Sequence, residues 1–121
     1  MSKKRILIVD DEEHIRDLIS EMLKFHGYEV ISAQDGFEAL NKVKNEKVDL
    51  ILLDIKLPGL DGYEVFKMLL GNKKTKNIPV IVLSASDVLG DINRFMSLGA
   101  KDYILKSRDV EEWLKKIKKY L

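Results

Sequence analysis

Three short apolar runs, residues 6–9, 50–53 and 80–83, have no polar residue at alternate positions. A strand with one wet face alternates, so an unbroken run of this length is a strand covered on both sides. Such strands need helices above and below a sheet that is largely parallel. The intervening sequence has the matching period. Ile15, Leu18, Ile19, Met22 and Leu23 recur at three- and four-residue spacing, as do Ala39, Leu40 and Val43, and then Val65, Phe66 and Leu69. With short strands at Glu29–Ala33 and Asp102–Leu105, the chain reads as five strands alternating with five helices. That pattern predicts an α/β fold with a doubly wound parallel sheet.

The helix boundaries have their own signals. Gly27 stops the first helix, and Asp35 with Glu38, Asp61 with Glu64 and Asp109 with Glu112 repeat a carboxylate capping spacing. The fourth helix, roughly 87–98 including Asp87, has Gly90 in its interior, at a cost of about 1 kcal/mol relative to alanine. It is expected to fray or shift, and Gly99 ends it. The last helix buries Val110, Trp113, Leu114, Ile117 and Leu121. Its Lys115, Lys116, Lys118 and Lys119 read as a solvated face near a helix C-terminus.

At 121 residues the chain fits one domain, 1–121, with no internal repeat or linker. The absence of cysteine excludes thiol catalysis, disulfides and thiolate metal sites, and suits a reducing compartment, so a cytoplasmic location is expected. The apolar run at 6–9 is too short for a signal peptide or a membrane span. A net charge of +1, with charges of both signs, gives no overall attraction to nucleic acid or membrane.

In a doubly wound sheet, ligands bind beyond the carboxyl ends of the strands, where the strand order reverses. The residues at those exits are Asp10 and Asp11 after the first strand, Asp54 after the third, Ser84 after the fourth and Lys106 after the fifth. Singly, each has a plain explanation as a helix cap, a turn residue or a surface lysine. Together, three carboxylates at one sheet edge repel unless a cation offsets them, and an all-oxygen set suits a hard ion such as Mg2+. With that ion and Lys106, a phosphoryl group can approach Asp54 as nucleophile, with Ser84 donating a hydrogen bond.

These features, with the D-x-x-x-P-G-x-D-G run from Asp54 to Gly62, Ser84-Ala85, Gly99-Ala100, Tyr103 and Lys106, resemble the receiver domain of two-component response regulators over essentially the whole chain. The resemblance implies a flavodoxin-like sheet of order 2-1-3-4-5 and a phosphorylation-dependent switch rather than an enzyme. On that resemblance Asp54 would accept a phosphoryl group from a histidine kinase or phosphotransfer protein. Asp10, Asp11, Asp54 and the main-chain carbonyl of Lys56 would hold Mg2+. Lys106 would contact the phosphoryl oxygens, Ser84 would turn toward the new charge, and Tyr103 would move inward. The face made by the fourth helix, fifth strand and fifth helix would then repack for a downstream protein target. Neither nucleic acid nor membrane is an expected direct partner, and the oligomeric state is left open, a monomer being compatible.

Members of this family usually follow the lysine with a cis proline; here Ser107 stands there. A cis bond before serine costs roughly 3–4 kcal/mol against about 0.5–1 for proline, so the bond is left open and Lys106 is expected to reach the site less firmly placed. Lys56, two residues past Asp54, is expected to screen an acyl phosphate from water. The alternative functions are a non-phosphorylated receiver-like interaction module and an aspartate- and Mg2+-dependent phosphatase. The phosphatase needs a second acid where Lys56 stands. Flavin and dinucleotide binding lack their loops, since Asp10-Asp11-Glu12-Glu13 follows the first strand. No output domain lies within the chain, and the lack of a polar linker after Leu121 favours a stand-alone receiver.

Overall fold

Alternation of side chains along the strands divides the core in two. The computed structural model describes residues 3–85 and 89–121. Its elements, in chain order, are β1 (Arg5–Val9), α1 (Glu13–Phe25), β2 (Glu29–Ala33), α2 (Gly36–Asn45), β3 (Leu50–Asp54), α3 (Gly62–Leu70), β4 (Val80–Ser84), α4 (Leu89–Leu98), β5 (Asp102–Leu105) and α5 (Val110–Lys119). The strands form one parallel sheet of order β2-β1-β3-β4-β5. Ile6, Ile8, Leu50, Leu52, Ile81 and Leu83 point to one face, where Ile19, Met22 and Leu23 of α1 and Trp113 and Ile117 of α5 cover them. Leu7, Val9, Ile51, Leu53, Val80 and Val82 point to the other face, beneath Ala39 of α2, Val65, Phe66 and Leu69 of α3, and Ile92 and Phe95 of α4. Two-sided cover is why the runs 6–9, 50–53 and 80–83 within β1, β3 and β4 carry no polar residue.

The capping signals hold. Asp35, Asp61 and Asp109 each accept a hydrogen bond from the backbone N–H three residues on, at 2.8, 3.0 and 3.1 Å. Gly27 (φ 90°) follows α1 and Gly99 (φ 113°) follows α4, each in the left-handed region that glycine enters at little cost.

The described part of α4 runs from Leu89, and the expected start of this helix at Asp87 lies outside the described residues. Three expectations need correction. Leu18 is 53% exposed, because it sits at the margin of the α1 stripe whose centre is Ile19, Met22 and Leu23. Val110, the first residue of α5, is 36% exposed, while Trp113 and Ile117 make the buried contact. Lys116 is half-buried and bonded, unlike the exposed Lys115, Lys118 and Lys119. No helix among the described residues is long and apolar enough to cross a membrane.

Candidate functional site

The order of the sheet reverses between β1 and β3, because β1 is flanked by β2 on one side and β3 on the other. Asp10 and Asp54 lie at that reversal. Backbone bonds just past the strands fix the residues around it: Asp10 N–H donates to the Ala33 carbonyl at 3.1 Å, Ile55 N–H to Leu83 at 3.0 Å and Lys106 N–H to Ser84 at 2.8 Å. The ladders therefore set these side chains before any side-chain contact is made.

Asp54, Asp11, Ser84 and Lys106 line a single cleft of about 210 Å3, together with Glu12 and Asp91. Asp10 and Asp54 are buried, at 0% and 4% exposure, as is Ser84. The Lys106 ammonium lies 2.7 Å from Asp54 Oδ2, 2.8 Å from Asp10 Oδ2 and 3.2 Å from Glu12 Oε2. Lys56 N–H donates to Asp54 Oδ1 at 3.1 Å, and Glu12 N–H donates to Asp10 Oδ1 at 2.9 Å. The Lys56 side chain is exposed at the rim. Tyr103 lies deeper along β5, opposite Val82, and packs half-buried against the core beneath α2, α3 and α4.

Burial pushes the Asp54 carboxyl up to about 6, against the opposing hydrogen bond and charge of Lys106, while the charge of Asp10 adds to the rise. Burial alone would lower Lys106, but the bonds and charges of Asp10 and Asp54 outweigh it and hold the ammonium above the ordinary lysine value. Asp54 is thus mostly ionised at neutral pH yet poorly solvated, which suits a nucleophile.

The described peptide bonds are all trans, that from Lys106 to Ser107 included, and the amine nevertheless reaches the cleft. Glu12 is a contact of Lys106 that the sequence reading passed over. Its signal was its place in the acidic run at the β1 exit, but its partner is 94 residues away. Asp91 was likewise not anticipated; it reaches the cleft from the first turn of α4.

One carboxylate oxygen each from Asp10, Asp11 and Asp54 lie within 4.8 Å of one another. Asp10 Oδ2 is shielded from solvent and faces the Lys106 ammonium at 2.8 Å. Three carboxylates gathered round one amine leave negative charge in excess, and an all-oxygen donor set fits a hard divalent cation.

Comparison with known proteins identifies the family. The model of the response regulator receiver domain matches residues 6–118. Sporulation initiation phosphotransferase F of Bacillus subtilis is 40% identical over 121 residues, covering the whole chain and 96% of that protein. The chain spans about half the length of several other curated relatives it matches, which include transcriptional regulators. Among solved structures, the chemotaxis response regulator CheY4 of Vibrio cholerae superimposes with a TM-score of 0.93 at 30% identity, covering 99% of this chain and 100% of that one. The response regulator TrrA of Thermotoga maritima, solved in complex with Mg2+ and BeF, gives 0.86 at 41% identity, covering 98% and 99%. On sequence, fold and the grouping of residues at the strand exits, the chain belongs to the response regulator receiver domain family of two-component signalling.

Proposed function

We propose that Asp54 is the phosphoacceptor of a signalling switch charged by a histidine kinase or a phosphotransfer protein. The observation that carries this reading is the buried Asp54 carboxylate at the reversal of the sheet, 2.7 Å from Lys106, with the carboxylates of Asp10 and Asp11 beside it. A carboxylate oxygen of Asp54 attacks the phosphorus of a phosphohistidine. The new P–O bond forms as the P–N bond breaks, the electron pair leaves on the imidazole nitrogen, and that nitrogen takes a proton from solvent. Lys106 transfers its hydrogen bond from Asp54 to an oxygen of the incoming group, so the charge that the attack brings into the cleft is met by an ammonium already in place. Asp10, Asp11, Asp54 and the main-chain carbonyl of Lys56 would hold Mg2+, which when bound supplies charge neutralisation for the phosphoryl oxygens.

Ser84 lines the same cleft, and its hydroxyl would donate to the phosphoryl group. Its engagement draws on β4, the strand beside β5, so Tyr103 and the face formed by α4, β5 and α5 respond and present a changed surface to a downstream protein. The composition suits a cytoplasmic location for this exchange. The test is mass spectrometry after incubation with Mg2+ and a small phosphodonor. Wild type should gain one phosphoryl group and Asp54→Asn none; equal labelling of both, or none on wild type, would overturn the reading.

A further inference from the structure

Lys116 projects from α5, whose apolar side covers one face of the sheet, yet its ammonium lies 4.4 Å from the ring centre of Tyr103, which packs against the opposite face. The reach is possible because β5 is an edge strand, paired among the described residues only with β4, so an α5 side chain can pass round its open side. The same ammonium bonds the Tyr103 carbonyl oxygen and lies 3.4 Å from the Asp102 carboxylate. Three kinds of contact therefore converge on one amine: a carbonyl, a carboxylate and an aromatic face. Only the last depends on where the Tyr103 side chain points.

We propose that Lys116 is a positioning residue that latches the Tyr103 ring in its present place and so opposes the switch until Asp54 is modified. This rests on the reading of Asp54 as phosphoacceptor and of Tyr103 as a ring that moves in response. The carbonyl and carboxylate contacts anchor the ammonium to β5 whether or not the ring moves, whereas the cation–ring attraction is lost when the ring leaves. An interaction present in one state and absent in the other biases the equilibrium by its own strength, and a ligand that selects the switched state binds more tightly once that bias is removed.

The experiment titrates Mg2+-loaded protein with beryllofluoride, a stable analogue of the aspartyl phosphate, and follows binding by calorimetry. Six proteins are compared: wild type, Lys116→Met, Lys116→Arg, Tyr103→Leu, the Lys116→Met/Tyr103→Leu double variant that completes the cycle, and Asp54→Asn, which reads the dependence on Asp54. Lys116→Met should bind about three- to tenfold more tightly than wild type, on the scale of one cation–ring contact. Lys116→Arg, which keeps a cation over the ring, should stay within about twofold of wild type. In the Tyr103→Leu background, Lys116→Met should change nothing, because the anchoring contacts then count equally in both states. Wild-type binding that depends on Asp54 but is unchanged or weakened by Lys116→Met would overturn the latch alone, as would an equal gain in the Tyr103→Leu background. Failure of wild type to bind beryllofluoride at all would overturn the phosphoacceptor reading and the latch with it.

Discussion

Replacing Asp54 by asparagine should make the metal-free domain more stable at neutral pH. The Asp54 carboxyl is raised from 3.8 to about 6 in the fold, chiefly by burial. The folded protein therefore holds this proton more tightly than the unfolded chain does. Below about pH 4 both states keep the proton and there is no penalty. As pH rises from there through about 6, the native state is forced to carry a poorly solvated charge, and stability falls. At about 1.4 kcal/mol per pH unit, the loss is roughly 3 kcal/mol by pH 7.5. Asparagine carries no charge to desolvate, but it gives up the charge-assisted bond to Lys106, so the net gain should be about 1–3 kcal/mol. The raised value of Lys106 stabilises the fold below the ordinary lysine range and is lost only at more alkaline pH, outside this window. Urea unfolding of wild type and Asp54→Asn in EDTA, at pH 7.5 and at pH 4, measures the gain. An asparagine variant less stable than wild type at pH 7.5, or equally stabilised at both pH values, would refute the reasoning. Saturating Mg2+ should narrow the gap, because it binds the native wild-type site preferentially.

Further outcomes are expected. Lys106→Met leaves the buried carboxylates of Asp10 and Asp54 without their ammonium and should cost about 3 kcal/mol at pH 7.5, with a smaller loss at pH 4.5 where Asp54 is protonated; denaturant titration at both pH values checks it. Leu52→Ala, at a fully buried position beneath α1 and α5, should cost about 2–5 kcal/mol by the same assay. Gly62→Ala should cost about 1–3 kcal/mol and weaken beryllofluoride binding, because a methyl group there would overlap the Asp54 carbonyl oxygen. Lys56→Ala should shorten the lifetime of the aspartyl phosphate, measured by loss of label from the isolated phosphoprotein; an unaltered lifetime would remove Lys56 as a screen.

Features set by local patterning were readable from the chain. Continuous apolar runs marked β1, β3 and β4, and the capping acids Asp35, Asp61 and Asp109 marked three helix starts, because each signal acts within a few residues. The strand exits then gathered Asp10, Asp11, Asp54, Ser84 and Lys106 through topology alone. What escaped were contacts whose partners are remote in sequence. Glu12 finds Lys106 across the sheet edge, and Lys116 finds Tyr103 round it. Periodicity also cannot place the margin of a stripe, since whether Leu18 is covered depends on how far the neighbouring elements extend.

The close approach at Gly62 bears on how such a domain can diversify. A methyl group built there would lie 2.8 Å from the Ile55 carbonyl oxygen as well as overlapping that of Asp54, so main chain rests on main chain where β3 meets α3. The floor of the cleft is thus set by backbone contact, without reference to the side chains that line its walls. Lys56, at the exposed rim, and Asp91, in the first turn of α4, can therefore be exchanged without moving the acceptor. If Asp54 is the phosphoacceptor, substitution at the rim can then alter the rate of its reaction while the fold and the aspartate stay in place.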